Sequence, residues 1–316
     1  MALKDAASTL VAAGLAVDLV AVLAAITNSQ PRVMTIRDGA ALPSGPFELD
    51  DRSLQSGLRE WVERQTGHPL GYVEQLYTFA DRDRSAGGTA RRFISISYLG
   101  LTREERAKSA GDAVWRNWYD YFPWEDRRAA PPAFVEETMI PRLRAWAKAA
   151  GAAKRRERAE RLAISFGLDD SPWNEELILQ RYELLYEAGL VEEAVRIGMG
   201  KKPALIPGRP MIFDHRRILA TSIARLRAKI KYRPVVFELM PPTFTLLQLQ
   251  RAVEALAGRL VHKPNFRRLI EQQELVEDTG ATASDALGRP AKLYRFRRSV
   301  LAERAVAGTK LPLSRP

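Results

Sequence analysis

The sequence predicts an α+β fold: a mixed-sheet part with a helical insertion, followed by a pair of short helices and a basic hairpin. Three observations predict it. β-prone segments stand before and after one amphipathic helix that stops at Thr66-Gly67, an order that suits a mixed sheet. Residues 103–195 then become charged and alanine-rich with helical periodicity. Last, the stretch from Phe244 to Phe296 runs helix, tight connection, helix, polar turn and β-prone return.

Length and charge bound the rest. At 316 residues the chain can form two compact domains, expected at 1–230 and 231–316. A hydrophobic content of 46% with 28% charged residues describes a globular chain, not a disordered one. With no cysteine there is neither a disulfide nor a thiolate metal site, and three histidines leave little for an imidazole site; no metal and no catalytic cofactor are expected. The net charge of +11 favours a polyanionic partner, and residues 214–298 hold 17 Lys and Arg against 8 Asp and Glu.

In chain order, residues 1–13 are expected as a short helix or a leader. Ala6 to Thr27 is apolar enough to suggest a membrane span, but Asp18 lies within it. Its second half, VDLVAVLAAIT, is β-branched and reads as a buried strand, Val17 to Ile26. With no signal-peptide context, the chain is expected to be cytoplasmic and without a membrane partner. Val33 to Ile36 is the next strand across the turn-rich TNSQPR. A Gly/Pro-rich loop then leads to a helix over Leu54–Gln65, with Leu54, Leu58, Trp61 and Val62 on one side. Strands follow at Tyr72–Phe79 and Arg92–Leu99, separated by ADRDRSAGGTAR.

The helical insertion is placed at about 103–207. Its basic run, RLRAWAKAAGAAKRRERAERL, is most simply a solvated helix face and alternatively an auxiliary phosphate contact. A short strand at Met211–Phe213, a long helix over Asp214–Lys231 and a strand at Val235–Leu239 complete this part, and Pro241-Pro242 separates it from the C-terminal stretch.

In that stretch Leu246, Leu249, Val253 and Leu256 recur at three- and four-residue steps, Thr243 or Thr245 offers the starting cap, and Gly258 the stop. Pro264 suits the first turn of the second helix. There Phe266, Leu269 and Ile270 are expected to face inward, and Arg267, Arg268, Glu271 and Gln272 outward, with Asn265 on the flank. Such a helix suits the DNA major groove, and the basic hairpin after it makes the unit a winged helix-turn-helix. The candidate DNA contacts are Lys263, Asn265, Arg267, Arg268 and Gln272, with Arg289 and Lys292 in the wing. An ordinary two-helix corner with a solvated basic face is the plainer alternative.

Two segments carry a resemblance. GPFELDDRSLQSGLREWVERQTGHPLGYVEQLYTFADRDR resembles the centre of a Nudix domain. Together with FDHRRILATSIARLRAKIKYRPVVFEL, FTLLQLQ, NFRR and GRPAKLYRF, it looks like the Nudix-related transcriptional regulators of NAD metabolism. The similarity is greatest to the alphaproteobacterial NadQ type, which is similar in plan to the NrtR family, and it covers roughly residues 15–100 and 208–298. It implies a Nudix-like effector domain joined to the winged helix.

Active Nudix hydrolases carry R-E-hydrophobic-x-E-E-x-G on the helix, whose glutamates hold Mg²⁺ against a diphosphate. Anchored on Thr66-Gly67, the adjacent glutamates of that pattern fall at Arg64 and Gln65; a frame shifted by one residue leaves Arg59-Glu60 and Glu63 in motif-like places, with Arg64 still replacing the second glutamate. The resemblance therefore implies a domain without catalytic residues that binds a nucleotide. Arg59, Arg64, Arg82 and Arg84 are candidate diphosphate contacts, and Tyr77 or Phe79 candidate base-stacking rings.

The expected function is a homodimeric repressor of NAD biosynthesis genes on a palindromic operator in double-stranded DNA. The expected effector is NAD, ATP or ADP-ribose. The alternatives are an active pyrophosphohydrolase with a DNA-binding appendage and a basic structural or RNA-associated protein.

Overall fold

The computed structural model describes residues 15–71, 73–81, 92–104, 111–199, 205–283, 290–297 and 299. The expected leader, most of the charged loop after Phe79, and the candidate contacts Arg82, Arg84 and Arg289 lie outside these residues.

One sheet is built from β1 (Leu15–Thr27), β2 (Gln30–Thr35), β3 (Ser44–Pro46), β4 (Val73–Phe79), β5 (Arg92–Leu101) and β6 (Val114–Asn117), with α1 (Leu54–Thr66) between β3 and β4. Its order is β4-β5-β1-β2-β6, with β3 also on β1; β1 and β5 are parallel and the other pairs antiparallel. β1 turns into β2 through Asn28 and Ser29, both at positive φ (51° and 59°), the geometry of a two-residue hairpin that follows strand twist.

β1 is buried on both faces. Val20, Val22 and Ala24 join the large core, while Leu19, Ala21, Leu23 and Ala25 pack with Leu58 and Val62 of α1. That double burial explains the uninterrupted apolar run in the sequence, since a central strand has no solvent face to alternate with. No helix among the described residues is long and apolar enough to cross a membrane.

Ser53 starts α1 through a reciprocal capping box with Ser56, and Gly67 ends it at φ 66°. At Gly45 on β3, an added Cβ would run into the Trp61 ring, so this glycine is what lets α1 close on the strand.

The insertion differs from its expectation at its start. Residues 114–117 are strand β6 on the sheet edge, and helices begin later: α2 (Ile140–Lys148), α3 (Ala152–Phe166), α4 (Ile178–Glu187) and α5 (Glu192–Arg196). α6 (His215–Tyr232) comes next, then α7 (Leu246–Ala257), α8 (Lys263–Gln272) and the hairpin β7 (Val276–Ala283) and β8 (Ala291–Phe296).

Two expected strands are not strands. Met211–Phe213 is an irregular turn into α6, held by the Met211 amide donating to Glu193 Oε1 at 2.9 Å. Val235–Leu239 is a 3₁₀ turn, set by Pro234 before it, and Val236, Phe237 and Leu239 are buried together rather than alternating. Phe237 stacks on Phe296 of β8 at 4.4 Å, which ties this turn to the wing. One continuous buried cluster runs from the β1–β2 face through α4 and α6 to α7 and Ile270, crossing residue 231.

Candidate nucleic-acid interface

Residues 244–296 form two helices and a hairpin. Thr245 caps α7 in a reciprocal box with Gln248, and Gly258 ends it at φ 73°. The apolar positions Leu249, Ala252 and Leu256 are buried. Pro264 sits in the first turn of α8, where no helical donor is missed. Phe244 pairs with Tyr294 through two backbone bonds of 2.9 and 2.8 Å, so the hairpin is fastened to the start of α7.

On α8, Ile270 is buried and Phe266 half-buried, as expected, but Leu269 is 50% exposed. At about 100° per residue, Leu269 lies a quarter-turn from Ile270 and misses the core that a ten-residue helix can reach. Asn265, Arg268 and Gln272 lie opposite Ile270 by the same count and are exposed; Lys263, at the first position of the helix on Ile270's side, and Arg267, about 60° from Ile270, are exposed as well. Among the described residues Lys263, Arg267 and Arg268 have no ion-pair partner. Three free cations and two amide side chains on one short helix form a surface that can meet phosphates and base edges.

The wing is different. Lys292 Nζ bonds Asp278 at 2.8 Å and Arg295 Nε bonds Glu277 at 2.5 Å, across the hairpin. Arg297 donates to the Glu274 carbonyl at 2.8 Å. These cations stiffen the wing, and Lys292 must exchange Asp278 for a phosphate to touch DNA. The Asp278 bond also holds the Lys292 ammonium above its usual pKa, so it stays charged.

The candidate effector residues are placed apart. On α1, Arg59 donates to the Leu70 carbonyl and closes the turn after the helix. Arg64 pairs with Glu60 at 2.6 Å and lies 4.6 Å over the Trp61 ring, on an exposed face. Gln65 has a structural role. Its Oε1 accepts the Ser44 amide at 3.0 Å, and its Nε2 donates to the Ser44 carbonyl at 2.8 Å. Gln65, which takes a carboxylate's place in the register anchored on Thr66-Gly67, is thus a clamp between α1 and β3. Tyr77 is 59% exposed on β4 with its ring edge-on to the buried Phe79 at 5.0 Å. Arg59 and Arg64 are therefore engaged within the helix region, and Tyr77 remains as an open ring.

Sequence reasoning missed the junction between the two parts. The last carbonyls of α7 are capped from outside. Tyr119 Oη donates to Ala255 O at 2.7 Å, Arg227 Nε to Leu256 O at 2.9 Å, and the Arg127 amide to Gly258 O at 2.6 Å. Arg227 also reaches Glu125 at 2.6 Å, and Glu125 takes two bonds from Arg181 at 2.5 and 2.8 Å; all three side chains are fully buried. Arg181 anchors α3 and the following loop through the carbonyls of Ser165 and Asn174. Burial alone would raise the Glu125 carboxyl, but the two guanidinium groups hold it below its usual pKa. A signal existed in the sequence. Arg227 stands four residues after Ile223 and beside Leu226, inside the apolar stripe of α6.

Comparison with known proteins places these parts. Residues 236–296 match the family model described as NrtR DNA-binding winged helix domain. An ADPR responsive transcriptional repressor, NtrR, of Acinetobacter baylyi is 41% identical over 86 residues, which cover 27% of this chain and 34% of that protein. The match thus spans about a third of the curated relative. The crystal structure of Shewanella oneidensis NrtR complexed with a 27mer DNA superposes with a TM-score of 0.55 at 20% identity, covering 90% of this chain and 95% of that one. A MutT/nudix family protein from Enterococcus faecalis gives 0.52 at 18% identity, over 89% and 86% of the two chains. Residues 236–296 thus match the NrtR winged helix domain, and the chain shares the fold of Shewanella oneidensis NrtR, with a Nudix-like mixed-sheet part before that domain.

Proposed function

We propose that this protein is a transcriptional repressor that binds operator DNA through α8 and responds to a nucleotide held by its Nudix-like part. The observation that carries this reading is the NrtR-type winged helix at 236–296 with Lys263, Asn265, Arg267, Arg268 and Gln272 exposed on α8. ADP-ribose is the favoured effector, supported by the name of the Acinetobacter relative, with NAD and ATP as the compounds to compare. The resemblance to regulators of NAD metabolism supports NAD biosynthesis genes as targets. A homodimer follows from the short reach of one recognition helix, which covers a half-site. The Nudix-like part acts as a sensor without hydrolysis, because Arg64 and Gln65 hold the positions of the paired glutamates and Gln65 is committed to Ser44.

The test is a titration against a palindrome upstream of the NAD synthesis genes, with random DNA as competitor, repeated with ADP-ribose, NAD and ATP. Competitor-resistant binding changed by one nucleotide is expected. Arg268→Ala should weaken operator binding by about 1–3 kcal/mol and relax sequence preference. Equal weak binding to both DNAs refutes the reading, as does Mg²⁺-dependent turnover of ADP-ribose that Glu63→Gln abolishes. Sedimentation giving a monomer with and without operator removes the dimer.

A further inference from the structure

The basic run of the insertion is not used by the winged helix. α2 and α3 form a hairpin joined at residues 149–151. From Arg142 to Arg161 the sequence holds eight Lys and Arg against two Glu, a surplus of six in a chain whose net charge is +11. Some of these cations have structural work. Arg144 pairs with Asp169, Arg161 with Glu187, and Arg158 lies 3.9 Å over the Trp146 ring, fastening the two helices together. The tip differs. Lys148, Lys154 and Arg156 are exposed and have no ion-pair partner among the described residues. Arg155, between them, reaches the Ala150 carbonyl at 3.4 Å and has no ion-pair partner among the described residues.

Folding does not favour this arrangement. The first turn of α3 holds no acidic residue, so Lys154 and Arg155 face the positive end of the helix dipole, and with Arg156 three cations stand consecutively. A solvated helix face ordinarily mixes charges, as the middle of α3 does with Glu157 and Glu160. A surface of one sign is stabilised by a polyanion, and the chain already carries a DNA-binding domain.

The hairpin is also tied to that domain. Arg181, which holds Ser165 at the end of α3, shares Glu125 with Arg227, and Arg227 holds the end of α7. Fifteen residues of α3 place the tip about 22 Å from this anchor. That is less than one helical turn of duplex, about 34 Å.

We propose that the α2–α3 tip is a second DNA-binding surface, at which Lys148, Lys154 and Arg156 contact backbone phosphates of the duplex read by α8. The inference rests on the proposed function. These contacts add affinity without sequence information, because phosphates are the same at every step.

The test uses the full chain and a triple variant, Lys148→Gln, Lys154→Gln, Arg156→Gln, with thermal unfolding as a check on folding. Binding to an operator duplex extended by about one helical turn on each side is measured from low to moderate salt. Each phosphate contact contributes about 0.9 to the slope of log K against log salt, so the variant should lose about 2 to 3 from that slope. Its preference for operator over random DNA should be unchanged. Arg268→Ala is the contrast, altering preference with little change in slope if that residue reads a base. Wild-type protein that binds DNA with the same slope as the variant overturns this inference alone. Wild-type protein that binds no operator overturns the proposed function as well. A variant that loses only anionic vesicle binding, with its DNA slope intact, assigns the tip to a lipid surface and overturns the inference.

Discussion

Removing the charge of Glu125 tests the junction most directly. In Glu125→Gln the shape is kept, but two fully buried guanidinium groups lose their shared anion. The new amide can accept from one arginine, while its NH₂ group confronts a second N–H donor. Breaking a buried pair in this way costs about 3–5 kcal/mol, a large part of the roughly 5–15 kcal/mol that holds a typical domain folded. Denaturant unfolding at pH 7 should show that loss as a lower midpoint at unchanged slope. Replacing the whole triad with apolar residues (Glu125→Leu, Arg181→Met, Arg227→Met) should recover only part. Arg181 and Arg227 also donate to the carbonyls of Ser165, Asn174, Glu175 and Leu256, and apolar side chains would forfeit those bonds. A loss below about 1 kcal/mol for Glu125→Gln would refute the reasoning, because it would mean that water or another group supplies the missing charge.

Three further outcomes are expected. His215 is buried with Nδ1 accepting the Leu42 amide at 2.9 Å, and burial, helped by Arg37, lowers its pKa to about 4. Between pH 6.5 and about 4 the unfolded chain binds a proton that the native one refuses. Stability therefore falls across that window as pH drops, by about 3 kcal/mol in total, and His215→Gln should flatten the fall in urea midpoints. Gly258→Ala pushes a Cβ into the Glu125 carbonyl at a φ of 73°, and should cost more than about 2 kcal/mol in denaturant while also weakening operator binding. Gln65→Glu sets a carboxylate against the Ser44 carbonyl where Nε2 now donates at 2.8 Å; a loss of about 1–3 kcal/mol is expected, with no gain of Mg²⁺-dependent ADP-ribose turnover.

Much of the fold was legible because local signals agreed with tertiary position. The stops at Gly67 and Gly258 sit at positive φ, and Thr245 caps as its hydroxyl suggested. Where local and tertiary signals disagreed, the sequence misled. Val235–Leu239 is largely apolar with two β-branched valines, but flanking prolines and the packing of Phe237 against Phe244 and Phe296 coil it into a 3₁₀ turn. The exposed face of α8 was legible because Lys263, Arg267 and Arg268 face solvent with no ion-pair partner among the described residues. The surroundings of the candidate effector residues were less so, since Arg59 and Arg64 find acceptors on or beside their own helix that no spacing rule reveals. β6 was hidden because its pairing partner, β2, lies some eighty residues earlier.

The same network bears on how a sensor could speak to α8. An effector changes DNA affinity only if it favours one arrangement of the molecule over another. In this chain the winged helix is not hung on a loose linker. Its first helix ends on Tyr119 beside the sheet edge, Arg227 of α6 and the Arg127 amide, and Glu125 joins two of the arginines that hold these pieces. Buried donors and carbonyls of this kind cannot separate by small degrees without losing bonds that no water replaces. A shift of the sheet edge or of the insertion must therefore carry the end of α7 with it. The turn at Gly258 then passes that displacement to the start of α8 five residues later.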